Sequence, residues 1–212
     1  MSGKKFNRFS VPLGLLDYVN PILYTVTMTT IIRNIYSGMS SPFNRILFLG
    51  VLISIFFGFI IPTGKVIVGL GLIRFVMPVP LVFCVNAGIF LSGMMLLQHV
   101  LDLKPAVLLM LFLLAVIYLA FVYRKSRKAN TIAVLTGAIG YLLIYSSLIL
   151  LSLRKAMTVP VILYALAILL FVMLCGIGIK ADLKDPKVHW VIEISNVLCQ
   201  FLVTLSSVLL FK

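Results

Sequence analysis

Apolar residues run along this chain in blocks of about twenty, without the polar position every second or third residue that a half-buried strand or a surface helix shows. Six blocks stand out, at 46–62, 79–100, 106–123, 133–153, 158–178 and 189–211. Their ends are punctuated by Arg45 and Pro62, Pro80 and Gln98, Pro105 and Arg124, Asn130 and Arg154, Pro160 and Lys180, and Pro186 and Lys212. A helix rises 1.5 Å per residue, so about 20 residues cross the ~30 Å hydrocarbon layer, and the pattern predicts transmembrane helices. The block at 46–62 is short and needs its flanks or a thinned bilayer to span.

Two stretches are ambiguous. Residues 12–32 form 21 positions with one charge, Asp17, and read either as a first crossing or as an interfacial helix. Residues 63–78 hold a short apolar run between Lys65 and Arg74, too short to span alone, and read as re-entrant or interfacial. The chain is thus an all-α polytopic bundle and a single transmembrane domain over 1–212, with six helices if 12–32 lies at the surface and seven if it crosses.

Composition removes the soluble alternative. Of 212 residues, 62% are hydrophobic and 11% charged, against about 25% charged in soluble domains, and mean hydropathy is +1.21. The net charge of +13, which in a soluble protein would suggest nucleic acid, reads here as lipid-facing loop charge, and no nucleic-acid partner is expected. Counting Lys and Arg in the loops separates the two topologies. With six crossings the sides carry equal numbers; with seven, one side carries 12 and the other 6. The positive-inside rule then predicts seven helices with the N-terminus cytoplasmic. The basic first residues are followed by Asp17, Asn20 and Pro21, which interrupt any leader-like core, so neither a cleaved signal peptide nor a lipid anchor is expected. A compact basic chain of this kind fits a bacterial cytoplasmic membrane.

No catalytic signature is found. Cys84, Cys175 and Cys199 lie singly in apolar stretches, His99 and His189 fall at opposite membrane sides, and there is no HExxH, phosphate loop or Ser–His pairing. No cofactor, metal or catalytic residue is predicted, and an enzyme is not the favoured reading.

Polar side chains at membrane depth are therefore the informative ones. In the last block Glu193, Asn196, Gln200, Thr204 and Ser207 recur at intervals of 3, 4, 4 and 3 and share one helix face. That face is either packing glue or the wall of a solute path. In the seven-helix topology Asp17 and Glu193 lie a few residues inside the same, cytoplasmic side and can meet, with Arg74 or Lys180 as counter-charge. Two carboxylates in one site suit a proton- or cation-coupling role; a basic partner for each would make a structural ion pair. Asn20-Pro21 and Pro78-x-Pro80 followed by Asn86 mark bends that expose backbone to a solute in many carriers. Tyr141 and Tyr145 are further candidates to line a polar path.

Gly50, Ser54 and Gly58 form a small-residue seam at intervals of four; Gly88 and Ser92 form a second, and Ala133, Gly137 and Tyr141, with Gly140 adjacent, make a third line. Such seams let helices approach closely, either within one bundle or against a protein partner or second copy. The stretch Phe48 to Leu97, with Ile60-Ile61-Pro62-Thr63-Gly64 and Gly93-Met94-Met95, resembles the opening helices of bile-acid/sodium symporter-type carriers. That resemblance covers about a quarter of the chain; the rest departs from it, the chain is too short for those carriers' full fold, and no residue is carried over. The overall expectation is a small membrane transporter, or membrane subunit of one, for a small solute or ion. The alternatives are a non-catalytic assembly or regulatory subunit and, behind it, a lipid-modifying enzyme.

Overall fold

The structure is a computed structural model that describes residues 10–35, 41–72, 79–126, 129–180 and 186–212. All its regular elements are helices: α1 Val11–Asp17, α2 Val19–Ile35, α3 Ser41–Gly69, α4 Val79–Leu101, α5 Pro105–Ser126, α6 Ala129–Arg154, α7 Thr158–Lys180 and α8 Pro186–Leu210. Among the described residues, six are long and apolar enough to cross a membrane, α3 to α8. The seventh pass is α1 and α2 taken together. Its interruption has a plain cause. Pro21 has no N–H to offer the carbonyl of Asp17, and its ring crowds that carbonyl, so the ladder breaks one residue on, at Tyr18. Tyr18 stays right-handed (φ −64°, ψ −23°) and its N–H bonds Leu15 O at 3.2 Å, so the chain continues as a broken helix. Ser10 opens it as an N-cap, its hydroxyl accepting from Leu13 N.

The expected second crossing ends at Pro62, but α3 runs seven residues beyond it to Gly69. A proline inside a membrane helix removes one ladder bond, here to the Gly58 carbonyl, without having to stop the helix. Residues 63–69, read from sequence as part of a separate short segment, are therefore the end of α3. Residues 73–78, Arg74 among them, lie outside the described residues.

Contacts fix the direction of each pass. Gly14 lies against Val66 and Gly58 against Pro21, so α3 runs antiparallel to α1 and α2. Gly50 meets Gly88, antiparallel; Asn86 meets Ala133 and Gly93 meets Gly140, parallel. Tyr164 meets Ser207 and Cys199 meets Ala167, antiparallel. Thr27 meets Thr204 as Asn20 approaches Glu193, so the first pass and α8 are parallel neighbours. The successive packings α1/α2–α3–α4–α6–α7–α8 close back on α2, which makes a ring of six; α5 lies outside it against α6 and the edge of α4.

Small residues set the closest approaches. A β-carbon at Gly50 would come 2.9 Å from Gly88 O and 3.0 Å from Ser92 Oγ, so the seam on α3 is matched to the seam on α4 inside one bundle. Gly137 makes room for the Asn86 side chain, and Gly140 for the backbone of Phe90. Three helices, α3, α4 and α6, close with a residue in the left-handed region: Gly71 (φ 75°), Asp102 (φ 50°) and Ala156 (φ 55°). After each, the next N–H reaches back five residues, Leu72 to Ile67 O, Leu103 to Gln98 O and Met157 to Ser152 O. Where α4, α6 and α8 end together, two cations satisfy orphan carbonyls: the Arg154 guanidinium donates to Val100 O, and Lys155 Nζ donates to Leu210 O at 3.1 Å while lying 4.8 Å from the Phe211 ring.

Candidate functional site

Three charged side chains meet inside the bundle, at the end where α1 and α8 begin. Lys65 Nζ lies 2.6 Å from Asp17 Oδ2 and 2.7 Å from Glu193 Oε1. All three residues are buried, at 9% exposure for Asp17, 6% for Lys65 and 7% for Glu193. Each comes from a different pass. Asp17 ends α1, at the carbonyl Pro21 leaves open; Lys65 sits in the stretch of α3 beyond Pro62; Glu193 lies seven residues into α8, about 10 Å along the axis. Gly14 explains the closeness, since a β-carbon there would meet Val66 N at 3.0 Å, so α1 rides directly on the backbone next to Lys65.

The charges do not cancel. With all three groups ionised, two carboxylates face one ammonium, and among the described residues Lys65 is the cation paired with them. Burying an uncompensated charge in apolar surroundings is costly, and such sites recruit a proton or a cation. Asn20 supplies part of the compensation: its Nδ2 donates to Asp17 Oδ1 at 3.2 Å and, at a long 3.5 Å, to Glu193 Oε2. Those two acceptors orient the amide, nitrogen toward the carboxylates, and its Oδ1 is left buried without a partner.

Beside the triad a pocket of about 130 Å³ opens between α1, α2, α3, α4 and α6. Asp17 and Asn20 stand at one end; Tyr24, Ser54 and Tyr141 contribute the other polar groups, and Pro21, Gly58, Ile61, Val85 and Ile89 make the rest of the wall. The Tyr24 hydroxyl lies beside those of Ser54 and Ser92 but closes no hydrogen bond and is buried. Ser54 donates to Gly50 O and Val85 O and Ser92 to Gly88 O, so toward Tyr24 the two serine oxygens can only accept. Asp17 and Gly58 are also the residues whose carbonyls lose their regular helical donors to Pro21 and Pro62.

The other candidates from the sequence fall around this centre. Gln200 is buried with its side chain beside the Tyr141 hydroxyl. Tyr145 is packed against Tyr141 and Phe171, its hydroxyl 3.8 Å from Cys199 Sγ, behind the pocket rather than on its wall. Asn196 is half-buried and outside the lining. Asn86 was expected as a solute contact, but its Nδ2 is spent on Ala133 O at 2.8 Å, clasping α4 to α6. Arg74 and the Lys180 side chain, the two expected counter-charges, lie outside the described residues. The cation actually between the carboxylates is Lys65, which counting had placed in a loop.

Lys65 and Tyr24 were missed, and each had a signal. Gly50, Ser54 and Gly58 step by four along α3, and seven more residues, two turns, lead to Lys65 on the same face. Asp17, Asn20, Tyr24 and Thr27 step by 3, 4 and 3 along the first pass, matching the polar face of α8 that meets it.

These features define an integral membrane protein, a helical bundle with a charged interior. No protein-family model, curated protein or solved structure matches the chain, and the short likeness of residues 48–97 to symporter-type carriers finds no support there.

Proposed function

We propose that this protein is a small membrane transporter, or the membrane subunit of a transport system, moving a small solute or ion, with Asp17, Lys65 and Glu193 as its proton- or cation-coupling element. The observation that carries this reading is a buried triad in which, among the described residues, two carboxylates meet one ammonium, beside an interior pocket. The bends at Pro21 and Pro62 put carbonyls without regular helical donors at the same place, as expected of a solute site in hydrocarbon. The small-residue seams are taken up between α3, α4 and α6, which leaves the assembly-subunit reading without its main motive.

Orientation follows from loop charge. Taking Lys65 out of the loop count lowers the basic side from 12 to 11 against 6, which supports a triad lying toward the cytoplasm. The test is proteoliposomes loaded with a pH-sensitive dye under an imposed pH gradient, with sodium, potassium and small ammonium salts added in turn. Solute-driven proton movement is expected in the wild type and not in Glu193→Gln inserted to the same level. Equal movement in both would remove the triad from the mechanism.

A further inference from the structure

The pocket's chemistry narrows what it takes. A proton needs no vacancy of this size. A bare metal ion needs a shell of oxygens on all sides, whereas here the oxygens stand at one end and along one flank, and Ile61, Val85 and Ile89 close the rest. The volume of about 130 Å³ is close to that of an apolar cavity of ~150 Å³ that accepts benzene. Among the described residues the Asp17 end offers one carboxylate charge that Lys65 does not balance and the buried unpartnered Asn20 Oδ1; deeper in, beside Ser54 and Ser92, is the hydroxyl of Tyr24, a residue 94% buried. Tyr24 and Tyr141 also line the space, and tyrosine faces attract ammonium groups.

We propose that this pocket holds a small organic monocation, its ammonium head at Asp17 and Asn20 and an apolar body of at most about benzene size against Ile61, Val85 and Ile89. The inference rests on the transport reading for the site's role and names its substrate class. Lys65 is part of the design. It holds the two carboxylates together and, among the described residues, balances one of them, so the site keeps a single charge to offer and selects a monocation over a dication. A neutral isostere fills the same volume but leaves the excess charge unanswered and gains only the apolar contact.

The experiment is calorimetric titration of the full chain in lipid nanodiscs with isobutylammonium, isobutanol and sodium as chlorides or neutral solute, at one neutral pH. Isobutylammonium is expected to bind saturably and at least tenfold more tightly than isobutanol, with sodium not competing at equal concentration. Gly58→Val narrows the pocket from α3, where an added β-carbon has only Pro21 Cβ within 4 Å, at 3.4 Å. It is expected to weaken isobutylammonium at least tenfold while leaving the triad in place. Equal binding of amine and alcohol, no amine binding, or undiminished binding to Gly58→Val each overturns the proposal, and the first two need no variant to fold. The proteoliposome assay separates the two readings. Glu193-dependent proton movement with sodium or potassium but without amine binding discards the substrate class and keeps the transporter; amine binding without any solute-driven movement keeps the site and discards transport.

Discussion

Lys65 and Glu193 are 128 positions apart in the chain and 2.7 Å apart in the bundle, on antiparallel passes that reach the same end of the protein from opposite directions. Around that contact the cation and the carboxylates have unequal standing. Removing Glu193 leaves Asp17 and Lys65 as a neutral pair; removing Lys65 leaves two buried anions facing each other.

Lys65→Met is therefore expected to destabilise by about 3–5 kcal/mol, the range for stripping one partner from a buried ion cluster, and Glu193→Gln by clearly less. Thermal unfolding of both variants in the same detergent checks the order. Equal midpoints would mean that the triad is not electrostatically coupled.

The glycines of α3 separate by environment. Gly50→Ala places its methyl against Gly88 O and Ser92 Oγ and is expected to cost about 1–3 kcal/mol through overpacking. Gly58→Ala meets only Pro21 Cβ and gains helix propensity, worth up to ~1 kcal/mol. Unfolding midpoints should move in opposite directions.

Ala156 holds a left-handed backbone, φ 55°, where its β-carbon is crowded. Ala156→Gly keeps the Met157 to Ser152 O bond that closes α6 and is expected to stabilise by about 1 kcal/mol. A lowered unfolding midpoint would contradict this account of the cap.

Topology gives a prediction independent of stability. Single cysteines at Asp102 and at Ser126, which lie at opposite ends of α5, are expected to differ in intact cells. Asp102→Cys should react with a membrane-impermeant maleimide from outside, and Ser126→Cys only after the membrane is opened. The reverse pattern would turn the bundle over.

The crossings were legible because hydrocarbon demands long apolar helices, and that demand is written in every block from Leu47 to Leu210. What failed was punctuation. Pro62 reads as an end because proline ends helices in water, where the freed carbonyl has no reason to stay helical; in a packed bundle the helix runs on to Gly69, and Lys65 goes inside with it. The shared side of Asp17 and Glu193 was arguable from the parity of the passes, but not the cation between them. The ring order was not readable at all, since it rests on local fits such as Gly137 to Asn86 that only coordinates reveal.

The parallel pairing of the first pass with α8 has a consequence for the order of synthesis. Asp17 and Lys65 enter the membrane early and can settle as a neutral pair while the rest of the chain is still being made. Glu193 emerges 128 residues after Lys65, about 6 to 26 s later at 5–20 residues per second. Until then the half-built bundle carries no excess charge at that end, and the charge-bearing site comes into being only when the last helix docks.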